Sequence, residues 1–223
     1  MKKNIRRKPG KLIPKPRIVV YVEGETEKEY LEAYRAMLRI DKDLVDVRYP
    51  NETDAKSLAS LARRVKKREE KEHKSLIMQD DQWWVLADTE GKKIPSDAKN
   101  IADSSGIFLA LSNPSIETWL LLHYEYCKNY GLNVDQVTQK LKKYLPHYAK
   151  HPDMNALLPR VATACDNAQK LRKIACNESE DLLRTDCDIL LKQVTNLAPN
   201  VETQKLIKIQ CEVLFLRTMV SRL

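Results

Sequence analysis

Ile18 to Val22 (IVVYV) is an unbroken apolar, β-branched run that stops at Glu23-Gly24, the pattern of a short strand covered on both faces. A helix is predicted directly after it. Thr26 and Glu29 stand at capping-box spacing, and Tyr30, Ala33, Tyr34, Met37 and Leu38 recur at helical intervals. Val45 to Tyr49 reads as a second strand, and Leu58, Leu61, Ala62 and Val65 mark a second amphipathic helix. The far end of that helix, RRVKKREEKEHK, is charged on every side and is expected to project into water. Trp83 to Ala87 (WWVLA) predicts a third strand, stopped by Asp88-Thr89-Glu90-Gly91, and Ile107 to Leu111 (IFLAL) a fourth. Ser112 or Asn113 is expected to cap the next helix, with Pro114 in its first turn and Ile116, Trp119, Leu120 and His123 on one side.

Strands alternating with helices predict an α/β fold, a parallel sheet flanked by helices and joined by right-handed crossovers. Beyond about residue 130 no strand-like run recurs, and residues 134 to 145, 157 to 175 and 179 to 196 read as helices. The expected organisation is a flexible arm over residues 1–17, an α/β domain over 18–130 and a helical C-terminal region over 131–223. In the last segment Leu206, Ile209, Val213, Leu216, Val220 and Leu223 form a narrow stripe. It suits docking either within the chain or on a partner helix.

Charge adds a second layer. The net charge is +8, yet residues 1–17 carry Lys2, Lys3, Arg6, Arg7, Lys8, Lys11, Lys15 and Arg17 with no acid. The remaining 31 bases therefore meet 31 acids, and the body is formally neutral. Such an arm is drawn to the phosphates of DNA or RNA by counterion release; the plainer reading is a solubilising tail. No apolar stretch approaches the roughly 18 residues of a membrane helix. None follows the basic start as a secretory signal would require, so a cytoplasmic location away from membranes is expected. The five cysteines, Cys127, Cys165, Cys176, Cys187 and Cys211, include no C-x-x-C pair. They read as reduced, mostly buried thiols. One helix running through Cys165, Cys176 and Cys187 would put them near one face, since 11 residues make three turns.

The candidate chemistry lies in acids just past predicted strand ends: Glu23 after the first, Asp88 and Glu90 after the third, and Glu117 one turn into the helix after the fourth. In a parallel sheet these ends share one edge, where open α/β folds bind ligands. Clustered carboxylates repel unless a cation lies between them, and oxygen donors suit Mg²⁺ or Mn²⁺. Each acid also has a plain reading, as a favourable charge at a helix start or as a turn residue. His147 and His151 are spaced i, i+4 between Pro146 and Pro152, without the Glu of a zinc protease motif. No glycine-rich G-x-x-x-x-G-K phosphate loop is present. Trp83 and Trp84 alternate, placing one in the core and leaving the other as core or as a base-stacking platform.

Glu23-Gly24-Glu25-Thr26-Glu27 followed by Tyr30, then Asp88-x-Glu90, then Ser112-Asn113-Pro114 with Glu117, Trp119, Leu120 and His123, resembles RloB-like proteins, relatives of the Toprim catalytic domain. The likeness spans about residues 17 to 125, with a fainter echo at Tyr148 and Lys150. It implies a Toprim-like sheet in which Glu23 is the general acid or base and Asp88 with Glu90 supplies the metal pair. Glu90 replaces the usual Asp and is one methylene longer, which either shifts the ion or leaves Glu90 out of contact with it. His123 would either orient Glu117, touch phosphate, or complement the helix C-terminus.

These readings make Glu23, Asp88 and Glu117 the candidate catalytic residues, Glu23, Asp88 and Glu90 the candidate Mg²⁺ or Mn²⁺ ligands, and Lys2, Lys3, Arg6, Arg7 and Lys150 the candidate nucleic-acid contacts. The resemblance implies a metal-dependent nuclease or phosphodiesterase of a prokaryotic antiphage, abortive-infection type system, often beside an ATPase partner. The alternatives are a noncatalytic nucleic-acid-binding or regulatory subunit and an adaptor that docks the ATPase through its terminal stripe.

Overall fold

The computed structural model describes residues 16–52, 54–72, 81–92, 96–128, 131–175 and 183–199. Lys2, Lys3, Arg6 and Arg7, the terminal stripe from Leu206 to Leu223, Cys176 and Cys211 all lie outside the described residues.

Strands β1 (Ile18–Val22), β2 (Val45–Arg48), β3 (Gln82–Asp88) and β4 (Ile107–Asn113) are parallel, and a two-residue β5 (Arg184–Thr185) pairs antiparallel with β4. The order across the sheet is β2-β1-β3-β4-β5. Helices are α1 (Glu25–Met37), α2 (Ala55–Glu72), α3 (Ser96–Ser105), α4 (Ile116–Leu122), α5 (Val134–Leu141), α6 (Met154–Leu157), α7 (Val161–Ala175) and α8 (Cys187–Asn196). The α/β architecture expected from the pattern is therefore present, with helices on both faces.

Alternation along the strands divides the core in two. Ile18, Val20, Val22 and Trp84 face a large cluster with α1, α4, α5, α7 and α8, while Val19, Tyr21 and Trp83 face a smaller one with α2 and α3. Both tryptophans are thus buried, and Trp84 stacks on Phe108 with ring centroids 4.8 Å apart. Neither is a free base-stacking platform. The larger cluster runs from Ile18 to Ala198, so helices beyond residue 130 pack into the core the sheet shares. Every residue of α4 is buried, which makes it the central helix of that layer.

Several local expectations are corrected. Thr26 makes no capping box: α1 begins after Gly24, and Thr26 Oγ1 donates to the Lys150 carbonyl at 2.6 Å. Met37 is exposed, because Tyr30, Leu31, Tyr34 and Leu38 already fill the inward face of α1. Ser115 is the N-cap residue of α4, so Pro114 precedes the helix instead of opening it. The far end of α2 is not wholly solvated, since Glu69 pairs with both Arg17 and Arg48. Helix α5 stops at Leu141, a 3-10 turn over Leu158–Arg160 precedes α7, and residues 184 and 185 are strand where helix was expected. No single helix carries Cys165 and Cys187, which belong to α7 and α8.

Candidate active site

In the strand order β2-β1-β3-β4 the chain winds one way from β1 and the other way from β3, so the crevice beyond the carboxyl ends of β1 and β3 is the switch point of the sheet. Glu23 follows β1 and Asp88 ends β3, and these strands are direct neighbours. The Glu23 amide donates to the Leu86 carbonyl at 3.2 Å, and the Asp88 amide donates back to Glu23 Oε2 at 3.0 Å. Two acids 65 residues apart are thereby locked side by side.

They open onto a cavity of about 560 Å³ lined by Glu23, Glu25, Glu27, Asp88, Glu90 and Glu117, with Ser115, Tyr49, Lys150 and His151 also on its wall. Six carboxylates thus face one lysine and one histidine. The loop after β3 is held by the Ser-Asn-Pro segment: Thr89 Oγ1 donates to Asn113 Oδ1 at 2.7 Å, and the Glu90 amide donates to the Pro114 carbonyl at 2.8 Å. This explains why an Asn-Pro pair far along the chain belongs to the acidic motif.

Electrostatics show the strain of this grouping. Burial, then the charges of Glu27, Glu23 and Glu117, raise the Asp88 pKa well above the usual carboxylate range; the Ile116 amide offsets part of this. Burial also raises Glu23, opposed by its bond from the Asp88 amide and reinforced by Glu90 and Asp54. Glu27 is 4 % exposed, and burial with the Glu23 and Glu117 charges pushes its pKa up to about 7, against its own backbone amide and Lys150. The carboxylate lies directly over Gly24, where an added Cβ would meet Glu27 Oε2 at 2.6 Å. Any side chain at Gly24 would therefore displace the Glu27 carboxylate, although its φ of −132° is ordinary.

Glu117 is buried and accepts a 2.8 Å bond from the Tyr148 hydroxyl. Burial and the neighbouring Glu117 charge hold the phenol pKa well above its usual value, so it remains a donor. Tyr148→Phe is expected to lower stability at pH 7 by about 1–3 kcal/mol, because a buried charged acceptor loses its partner. Urea unfolding checks this, and an unchanged midpoint would mean Tyr148 does not hold Glu117.

Placement differs among the expected residues. Glu23, Asp88 and Glu117 share the cavity, and Lys150 lies on its wall in a left-handed conformation, φ 69°. Glu90 lines the rim with its side chain 63 % exposed and paired to Lys92 at 2.5 Å. His123 neither orients Glu117 nor reaches phosphate. It is buried between the Tyr30 hydroxyl (3.0 Å) and the Trp119 carbonyl (2.9 Å), and burial depresses its pKa to about 4. His151 pairs with Glu29 at 2.8 Å. Sequence reasoning passed over Glu27 and Ser115 as site residues. The i, i+4 spacing of Glu23 and Glu27 across Gly24 was the available signal for Glu27.

The donor chemistry fits a hard divalent cation: buried like charges share a cavity, and Ser115 Oγ on its wall is buried with no hydrogen-bond partner among the described residues. As they stand, no three His, Cys, Asp or Glu side chains among the described residues are grouped closely enough to hold an ion.

Fold and cavity define a class: an α/β protein with an acidic pocket at the switch point of a mostly parallel sheet. The family model of RloB-like proteins matches residues 18–198, and the chain belongs to that family. The match extends through α8, well past the motifs around β4. No curated protein and no solved structure matches the chain.

Proposed function

We propose that this RloB-like protein is a Mg²⁺- or Mn²⁺-dependent phosphodiesterase acting on nucleic acid, with a Toprim-like division of labour among its acids. The observation that carries the reading is the convergence of Glu23, Glu27, Asp88 and Glu117 in one cavity at the switch point. Asp88, Glu27 and Glu117 would hold the ion only after drawing closer together, since no three such side chains among the described residues are near enough as they stand. When bound, it would supply Lewis-acid stabilisation of charge on phosphoryl oxygens. Glu23, anchored by the Asp88 amide, would move a proton to or from the attacking or departing oxygen. Lys150, on the same wall, would meet a phosphate. Kinship with the family adds the proposal of a role in antiphage defence beside an ATPase partner.

A second reading, a nucleic-acid-binding subunit without metal chemistry, is favoured by Glu90, which lies exposed at the rim on Lys92. Incubation of the full chain with RNA, single-stranded DNA and duplex DNA separates the two. Under the first reading, cleavage appears with Mg²⁺ or Mn²⁺ and vanishes in EDTA. Binding that weakens steeply with salt, with no cleavage at any metal concentration, would support the second.

A further inference from the structure

The outward face of α2 carries Lys56, Arg63, Arg64, Lys67, Arg68 and Lys71. At 3.6 residues per turn, Lys56, Ser60, Arg64, Lys67 and Lys71 follow one another along a single stripe. The inward face holds Ala55, Leu58, Ala59 and Ala62 against the sheet. Of the three acids on this helix, Glu69 is turned inward to Arg17 and Arg48, and Glu70 and Glu72 fall toward the flanks. Arg64, Lys67, Arg68 and Lys71 are exposed and have no ion-pair partner among the described residues. The fifteen steps from Lys56 to Lys71 span about 22 Å at 1.5 Å per residue. That length matches about six base-pair steps of duplex at 3.4 Å per step.

One end of this stripe is beside the acidic cavity. Because α2 crosses from the carboxyl end of β2 to the start of β3, its first turn stands at the switch-point edge. Tyr49, on the same connection, lines the cavity, and Asp54 is close enough to Glu23 for its charge to be felt there. Along the first turns runs a groove of about 250 Å³ lined by Lys56, Ser57, Ser60 and Arg64 together with Glu52 and Leu61, and Lys56 there is paired with Asp97 at 2.7 Å. Hydroxyls interleaved with cations are the side chains that position phosphate backbones without reading bases.

We infer that the outer face of α2 is a phosphate track that leads a nucleic-acid polymer to the acidic cavity, so that the substrate is a polymer and not a mononucleotide. The inference rests on the proposed function only for what happens at the end of the track. The stripe needs no particular base sequence, and its spacing suits successive phosphates of one backbone.

The test uses the full chain and the reversal Arg64→Glu/Lys67→Glu/Lys71→Glu, with circular dichroism to verify folding. A neutral triple, the same positions changed to Gln, serves as a second variant. Binding of fluorescein-labelled 30-nucleotide RNA and 30-base-pair DNA is followed by anisotropy in EDTA across a salt series. Hydrolysis of bis(p-nitrophenyl) phosphate with Mn²⁺ reports the cavity alone. Expected is at least a tenfold loss of polymer affinity on reversal, a smaller loss in the Gln variant, and a salt slope lower by about 2 to 3. Hydrolysis of the small diester should be unchanged. Polymer affinity and salt slope equal to wild type in both variants would overturn the track, whatever the cavity does. If the wild type hydrolyses no diester while the reversal still loses polymer binding, the track stands and the catalytic reading falls.

Discussion

Under the proposed phosphodiesterase function, Asp88→Asn is expected to reduce metal-dependent cleavage by about a thousandfold or more, since a ligand to the ion would support about 4 kcal/mol of transition-state stabilisation. The same substitution should raise the melting temperature of the metal-free protein. Asp88 is held well above its ordinary pKa by burial and by Glu27, Glu23 and Glu117, so at neutral pH folding must either bury its charge or bind a proton there, and both cost stability. Loss of activity together with gained stability is the signature of a functional carboxylate, whereas a structural one would lose both. Cleavage rates and thermal unfolding in EDTA measure the two effects. An Asp88→Asn protein that cleaves like wild type would remove the cavity from the mechanism.

The pH dependence of stability gives the second large effect. Glu27 moves from an ordinary value of 4.5 to about 7 on folding, so the folded state holds the proton more tightly than the unfolded chain. Stability linked to this group is complete below about pH 4.5 and is lost as pH rises through about 7, an amount of about 3 kcal/mol. Glu27→Gln keeps the shape and removes the charge. It is expected to be more stable than wild type by about that amount at pH 8 in EDTA and nearly equal at pH 4.5. Urea midpoints at the two pH values provide the measurement; parallel pH profiles would show that Glu27 is not held in this way. Added Mg²⁺ should then stabilise the wild type more than the variant at pH 8, because binding to the folded state alone raises stability by mass action.

Much of the fold could be read in advance where the pattern was strong. β1 and β3 announce themselves as apolar runs because their inner residues are covered on both faces, and β4 reads the same way although Phe108 is half exposed. α3 gave little signal, since the residues it buries are the small Ala98 and Ala102 within a polar stretch. β5 is two residues long and exists only through its pairing with Ser112 and Asn113. Thr26 carried a capping signature that tertiary contact overrode, its hydroxyl being taken by the Lys150 carbonyl 124 residues away. His123 carried the right residue type for chemistry, yet full enclosure by Tyr30 and Trp119 makes it a neutral core group.

The order of apolar runs and the acids that end them were enough to predict a parallel α/β sheet and to bring Glu23 and Asp88 to one edge, because strand direction alone puts those ends together. Only the tertiary structure decided that Glu27 joins them over Gly24, that Tyr148 holds Glu117, and that Glu90 stays at the rim with Lys92. Local patterns follow from the periodicity of backbone and side chain over a few residues. Charge sharing and hydrogen bonding inside a cavity depend on distances between segments that meet only when the core closes.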